Sequence, residues 1–162
     1  MSDYLTYPNQ SKVWIYQSNK QLDADETAYL KVQLDDFICT WESHGQMLTA
    51  TTEIFYNLFV VFFVDEEGDT MCGRAKDASV RLMMKLEEEL EMKFLDRMVQ
   101  SYKNGETVEV VKMNDFTSLL ENNIITEDTI VFNNMVATKA EFDTNWEVPM
   151  KESWHKQFLT IS

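Results

Sequence analysis

The run Leu58-Phe59-Val60-Val61-Phe62-Phe63-Val64 constrains the fold more than any other feature: seven consecutive apolar residues, all but one β-branched or aromatic. A strand points successive side chains to opposite faces, so a run that is apolar throughout belongs in the middle of a sheet covered on both sides. It is far shorter than the roughly 20 residues a membrane-crossing helix needs. The fold has to place one apolar layer above this strand and another below it.

The flanking sequence predicts what those layers are made of. From Met47 onward Leu48, Ala50, Thr52, Ile54 and Tyr56 alternate with Thr49, Thr51 and Glu53, the period of a strand, and Asn57 permits a tight turn into the apolar run. Val13-Trp14-Ile15-Tyr16 predicts a first strand, ended by Ser18-Asn19. Asp23 with Glu26 three residues later has the form of a capping box, and Leu30, Leu34, Phe37, Ile38 and Trp41 follow at helical spacing until Gly45. Residues 65–76 read as a polar loop, after which Asp77 can cap a second helix carrying Val80, Met83, Met84, Leu86, Leu90 and Phe94. Asn104-Gly105 suits both positive-φ positions of a type I′ turn and predicts a hairpin of 98–102 with 107–113. A short helix over 115–120, a strand over 129–132 and helical turns within 139–159 complete the prediction. The opening order is that of the split βαβ unit. The expected class is therefore α+β, a ferredoxin-like β-α-β-β-α-β core with an added hairpin and a C-terminal helical segment. With four glycines and two prolines there is little material for a linker, so residues 1–162 are expected to form a single domain.

Charge narrows the partners. Asp and Glu number 28 against 14 Lys and Arg, a net −14 spread along the whole chain. Affinity for phosphate backbones comes mainly from Lys and Arg, so no nucleic-acid partner is expected, and anionic membranes are disfavoured. No membrane insertion is expected either. Residues 1–10 lack a basic region followed by an apolar stretch, and Cys39 and Cys72 form no CxxC pair. Both features lead to a cytoplasmic expectation.

The search for chemistry starts with what is missing. The glycines Gly45, Gly68, Gly73 and Gly105 form neither GxxxxGK nor GxGxxG, so ATP hydrolysis has no supporting motif. Arg74 and Lys76, just ahead of Asp77, could hold an anion at the start of the second helix; equally, Asp77 alone could satisfy the free amides there. Cys72 in the same stretch could be a thiol of lowered pKa. His44 can serve the terminal carbonyls of the first helix, or act as a general base if a partner positions it. His44 and His155 are far apart in sequence, and 65–69 lacks the spacing of a calcium loop, so no metal or cofactor is expected. The tail concentrates Asn133, Asn134, Asn145, Trp146, Trp154 and His155, residues that could line a ligand site or pin the segment to the body.

Several segments are familiar together: Trp14-Ile15-Tyr16-Gln17-Ser18-Asn19, Trp41 to Gly45, Asp77-Ala78-Ser79-Val80, Thr129-Ile130-Val131-Phe132-Asn133-Asn134, Asn145-Trp146-Glu147-Val148-Pro149 and Ser153-Trp154-His155. Over nearly the whole chain they resemble a family of small bacterial proteins that often carries the label "ABC transporter ATPase". The resemblance implies a bacterial cytosolic setting and no assigned chemistry. The label conflicts with the missing P-loop, and the residues take precedence. Where that family has a Gly-Cys-Ser-Ile-Asp stretch, this chain reads Gly73-Arg74-Ala75-Lys76-Asp77, with Arg74 in place of the cysteine.

Two functional readings follow. One is a non-catalytic binding or interaction domain, with a homo-oligomer among its forms, recognising an unidentified protein or small molecule through its sheet and tail. The alternative is a small enzyme acting on an anionic small molecule, with a pocket between the loop before Asp77 and the Trp-bearing tail.

Overall fold

The computed structural model describes residues 3–43, 45–65 and 73–160. Its strands are β1 (Lys12–Gln17), β2 (Glu42–Ser43), β3 (Gln46–Met47), β4 (Thr49–Phe55), β5 (Phe59–Asp65), β6 (Val99–Asn104), β7 (Thr107–Lys112), β8 (Ile130–Phe132) and β9 (Glu147–Pro149). Its helices are α1 (Ala24–Thr40), α2 (Gly73–Leu90), α3 (Met113–Glu121) and α4 (Lys139–Asn145), with single 3-10 segments at Tyr4–Thr6, Met150–Glu152 and Trp154–Thr160. The chain is α+β with antiparallel sheets. Among the described residues no helix is long and apolar enough to cross a membrane.

The apolar run is β5, the middle strand of a three-stranded sheet ordered β1-β5-β4. Trp14 of β1 and Thr52 of β4 both register with Phe62. Residues 58 to 64 are all fully buried, and alternate residues serve two different cores. Val60, Phe62 and Val64 pack with Leu30, Leu34 and Trp41 and with Met83 and Leu86, which lays α1 and α2 over one face. Phe59, Val61 and Phe63 pack with Val108, Phe132, Phe142 and Trp146, which lays a second sheet, ordered β7-β6-β8-β9, against the other. The far face of that second sheet buries Tyr102 and Val131 beneath Phe116, Ile125 and Met150. The layers are helix, sheet, sheet and helix. Both expected coverings of β5 are present.

The first-half order β1-α1-β4-β5, with β5 between two parallel strands, is the split βαβ arrangement. The strand after α2 does not complete it. Asn19 N donates to Lys93 O at 3.0 Å and Lys93 N to Asn19 Oδ1 at 2.9 Å, so the chain leaving α2 is tied to the end of β1. The open side of β1 is met by residues 137–139 through the Lys12–Thr138 bridge and Val13 N to Ala137 O at 3.0 Å. β6 accordingly lies in the second sheet.

Local chemistry explains the helix ends. The capping box exists as the sequence predicts: Asp23 accepts from Glu26 N, and Glu26 accepts from Asp23 N. α1 ends at Thr40, and Gly45, at φ +78°, serves the β2–β3 turn instead of the helix stop. α2 is already helical at Gly73, so Asp77 is an exposed residue inside it and not its cap. The early start is held by tertiary contact: Ala75 is buried, and its carbonyl accepts from Trp41 Nε1 at 2.8 Å. The β6–β7 loop is Gly105-Glu106, one residue later than predicted. Its positive φ of +66° falls on Gly105 alone, the pattern of a type II′ turn.

α2 terminates with Glu91 at φ +52° and Met92 N donating back to Glu87 O at 3.1 Å, a Schellman closure with a non-glycine at its left-handed position. Glu91 is exposed. Glu91→Gly is expected to raise stability by about 0.5–1 kcal/mol, because glycine adopts this conformation without the Cβ penalty. Chemical denaturation of the two proteins checks it; an unchanged or lowered midpoint contradicts it.

Candidate functional site

The structure separates the residues that the sequence brought forward. His44 and Cys72 lie outside the described residues, as does the side chain of Arg74. Lys76 and Asp77 are exposed near the start of α2, on the outer helical layer of the first sheet. Trp154 and His155 lie on the opposite outer layer, beyond the second sheet. Among the described residues two sheets therefore stand between Lys76 and the segment that carries Trp154 and His155. Asn145 is exposed at the end of α4.

Asn134 and Trp146 do come together, at one end of the core between the sheets. Trp146, 3% exposed, is ringed by Phe55, Phe59, Phe132 and Phe142 at centroid distances of 4.7–5.4 Å. Its Nε1 donates to Asn134 Oδ1 at 3.0 Å; Asn134 Nδ2 donates to Gln17 Oε1 at 2.9 Å, and Gln17 Nε2 donates to buried Ser101 Oγ. Asn133 N donates to Trp146 O at 2.7 Å. Three of the segments picked out by sequence, 14–19, 129–134 and 145–149, meet in this chain of hydrogen bonds. Every polar atom in it faces a protein partner, so it fixes how the two sheets and the tail are joined.

Beside it, at the surface, Tyr56 donates to Glu147 at 2.8 Å, while Lys103 pairs with Glu147 and stands 5.3 Å from the centre of the Tyr56 ring. Tyr56 and Asn57 both have positive φ, as a type I′ turn closed by Leu58 N to Phe55 O requires. An aromatic residue is unusual there. Its ring packing on Phe132, Phe59 and Trp146 supplies the reason. Burial and the bond to Glu147 push the Tyr56 phenol up, and Glu147 raises the Lys103 ammonium. Near neutral pH the phenol keeps its proton and the ammonium its charge. The trio balances itself and offers no free base.

His155 is fully buried. Its Nε2 lies 2.6 Å from Gln100 Oε1 and its Nδ1 2.7 Å from Ser153 Oγ. Gln100 Nε2 donates to Arg97 O at 3.2 Å, which orients the amide so that its oxygen faces the ring. Nε2 therefore carries a proton, and in the neutral ring that burial favours Nδ1 accepts from Ser153. Burial lowers its pKa from 6.5 to about 4. A serine, a histidine and an amide in a row look like hydrolytic machinery. Ser153 is only 2% exposed and Trp154 stacks on the imidazole at 3.9 Å, so no substrate reaches the hydroxyl.

The open site lies next to this buried cluster. A groove of about 410 Å³ runs between α3, the loop after it and the C-terminal 3-10 segment. Leu120, Phe158 and Leu159 form its apolar walls over Ile125, which is itself only 1% exposed; Glu121, Asn123 and Glu127 are exposed beside them. The volume falls within the range of small-molecule sites. The sequence carried one signal for it: Leu119-Leu120 and Ile124-Ile125 flank Asn122-Asn123, more apolar side chains than a short helix end buries by itself. Among the described residues no group of three or more His, Cys, Asp or Glu could hold a metal ion. No family model, curated protein or solved structure matches the chain.

Proposed function

We propose that the chain is a non-catalytic binding domain whose ligand site is the groove between α3 and the C-terminal segment. Its body we read as a ferredoxin-like half-unit carrying a second sheet, working in the bacterial cytosol that the resemblance implies. One contrast carries the reading. The polar clusters among the described residues are engaged internally, as in Ser153–His155–Gln100 and Tyr56–Glu147–Lys103, whereas the groove presents apolar surface and polar groups to solvent. A site of that composition binds by shape and desolvation and needs no nucleophile. The enzyme reading is favoured by no described arrangement, since Lys76 and the tail are on opposite outer layers.

Phenylbutanol, a neutral molecule with an apolar body, is a suitable probe. Its addition is expected to shift the methyl resonances of Leu120 and Ile125 saturably while leaving those of Leu30 and Leu34, buried on the far side of the first sheet, in place. Absence of any groove shift at millimolar probe overturns the reading.

A further inference from the structure

Resting on that groove reading, we infer that the ligand is a small organic cation with an apolar body. Three observations converge. The first is the lining: Leu120, Phe158 and Leu159, over buried Ile125, supply a surface that takes a hydrocarbon or aromatic body, in a volume of about 410 Å³ suited to one small molecule. The second is charge. The ionisable residues lining the groove are Glu121 and Glu127, both exposed, and among the described residues neither is in an ion pair. The nearby cation Lys151 pairs with Asp128 at 2.7 Å and is also drawn by Glu127, so Glu121 is the less compensated of the two carboxylates.

The third is the backbone. α3 ends at the groove, with Asn123, one of its lining residues, at φ +58° in the left-handed position. Asn123 N returns to Leu120 O at 3.1 Å and Ile124 N to Leu119 O at 2.9 Å, closing a Schellman motif. That closure leaves the negative end of the helix dipole at the groove, where it favours a positive group. Apolar walls lower the local dielectric and strengthen both attractions. An anionic ligand meets two carboxylates and a helix C-terminus of the same sign.

The test uses three probes that share one apolar body: phenylbutylammonium, phenylbutanol and phenylbutanoate, titrated near neutral pH with Leu120 and Ile125 methyl shifts as the site-specific readout. The ammonium is expected to bind about five- to tenfold more tightly than the alcohol, the size of two exposed charge contacts, with the carboxylate weakest. The preference should shrink at high salt. It should also fall to the small part owed to the helix end in Glu121→Gln/Glu127→Gln, whose exposed positions leave the fold intact. Equal binding of all three probes overturns the cation inference and leaves the groove reading standing. Failure of every probe overturns both. A preference undiminished by the double substitution overturns the assignment of these carboxylates.

Discussion

A chain cut after Asp143 is expected not to fold. The cut removes Trp146 from the core between the sheets, β9 from the edge of β8, and Met150 and His155 from the layer beyond the second sheet. It also removes the Nε1–H on which Asn134 closes and the partner of Gln100. Phe132, Phe59 and Phe116 lose cover at once. Truncating one buried aromatic side chain to alanine costs about 3–5 kcal/mol, and a domain is typically stable by only about 5–15, so losing the whole segment exceeds what is available. Trp146→Ala alone should lose about 3–5 kcal/mol and remain folded. Circular dichroism melts with gel filtration check both, and a truncated chain that is monomeric and melts with the full-length protein would contradict the docking.

Acid should weaken the protein through one residue. His155 titrates at about 4 in the folded chain and near 6.5 when unfolded. Between those values the unfolded state binds the proton and the folded state does not, so stability falls as pH is lowered. The contribution is fully present above 6.5, is lost progressively down to about 4 and amounts to about 3 kcal/mol across the window. The physical obstacle is the site itself, since a second ring proton would have to displace the hydrogen bond from Ser153 with no carboxylate in contact. His155→Gln should be less stable than the parent near neutrality and should lack this part of the pH dependence. Denaturation midpoints from pH 7 to 4 that run parallel in the two proteins would refute the assignment.

Local rules were readable where one short stretch decides the outcome. β5 announces itself because both of its faces are apolar, and α1 because Asp23 and Glu26 meet across a single turn. The α2 start was not readable: 73–76 offers only Ala75 to a core, and what holds it is Trp41, 34 residues earlier. The second sheet was out of reach for a related reason. β6 and β8 share the pair Tyr102–Val131, β8 is three residues long, and neither alternation says which sheet it joins. For the candidate site, sequence identified the tail but not its use. Asn134, Trp146 and His155 have the composition of a binding surface, yet their polar atoms are satisfied by Gln17, Ser153 and Gln100 from other parts of the chain. The groove, on the outer layer beside His155, is lined by apolar side chains and exposed polar ones that follow no motif.

β5 has a further consequence for how the chain finds its pairing. In a strand with one wet face, slipping by a single residue turns apolar side chains to water, and polarity alone forbids the error. Here the slip would exchange Phe59, Val61 and Phe63 for Val60, Phe62 and Val64, one oily set for another, at no such penalty. What distinguishes the two alignments is volume: two phenylalanines and a valine on the side of the second sheet, two valines and a phenylalanine on the side of the helices. The tight Tyr56-Asn57 turn adds a mechanical stop at the strand's beginning. In this strand the correct alignment is encoded by shape and by a corner, and substitutions that keep it hydrophobic can still misalign it.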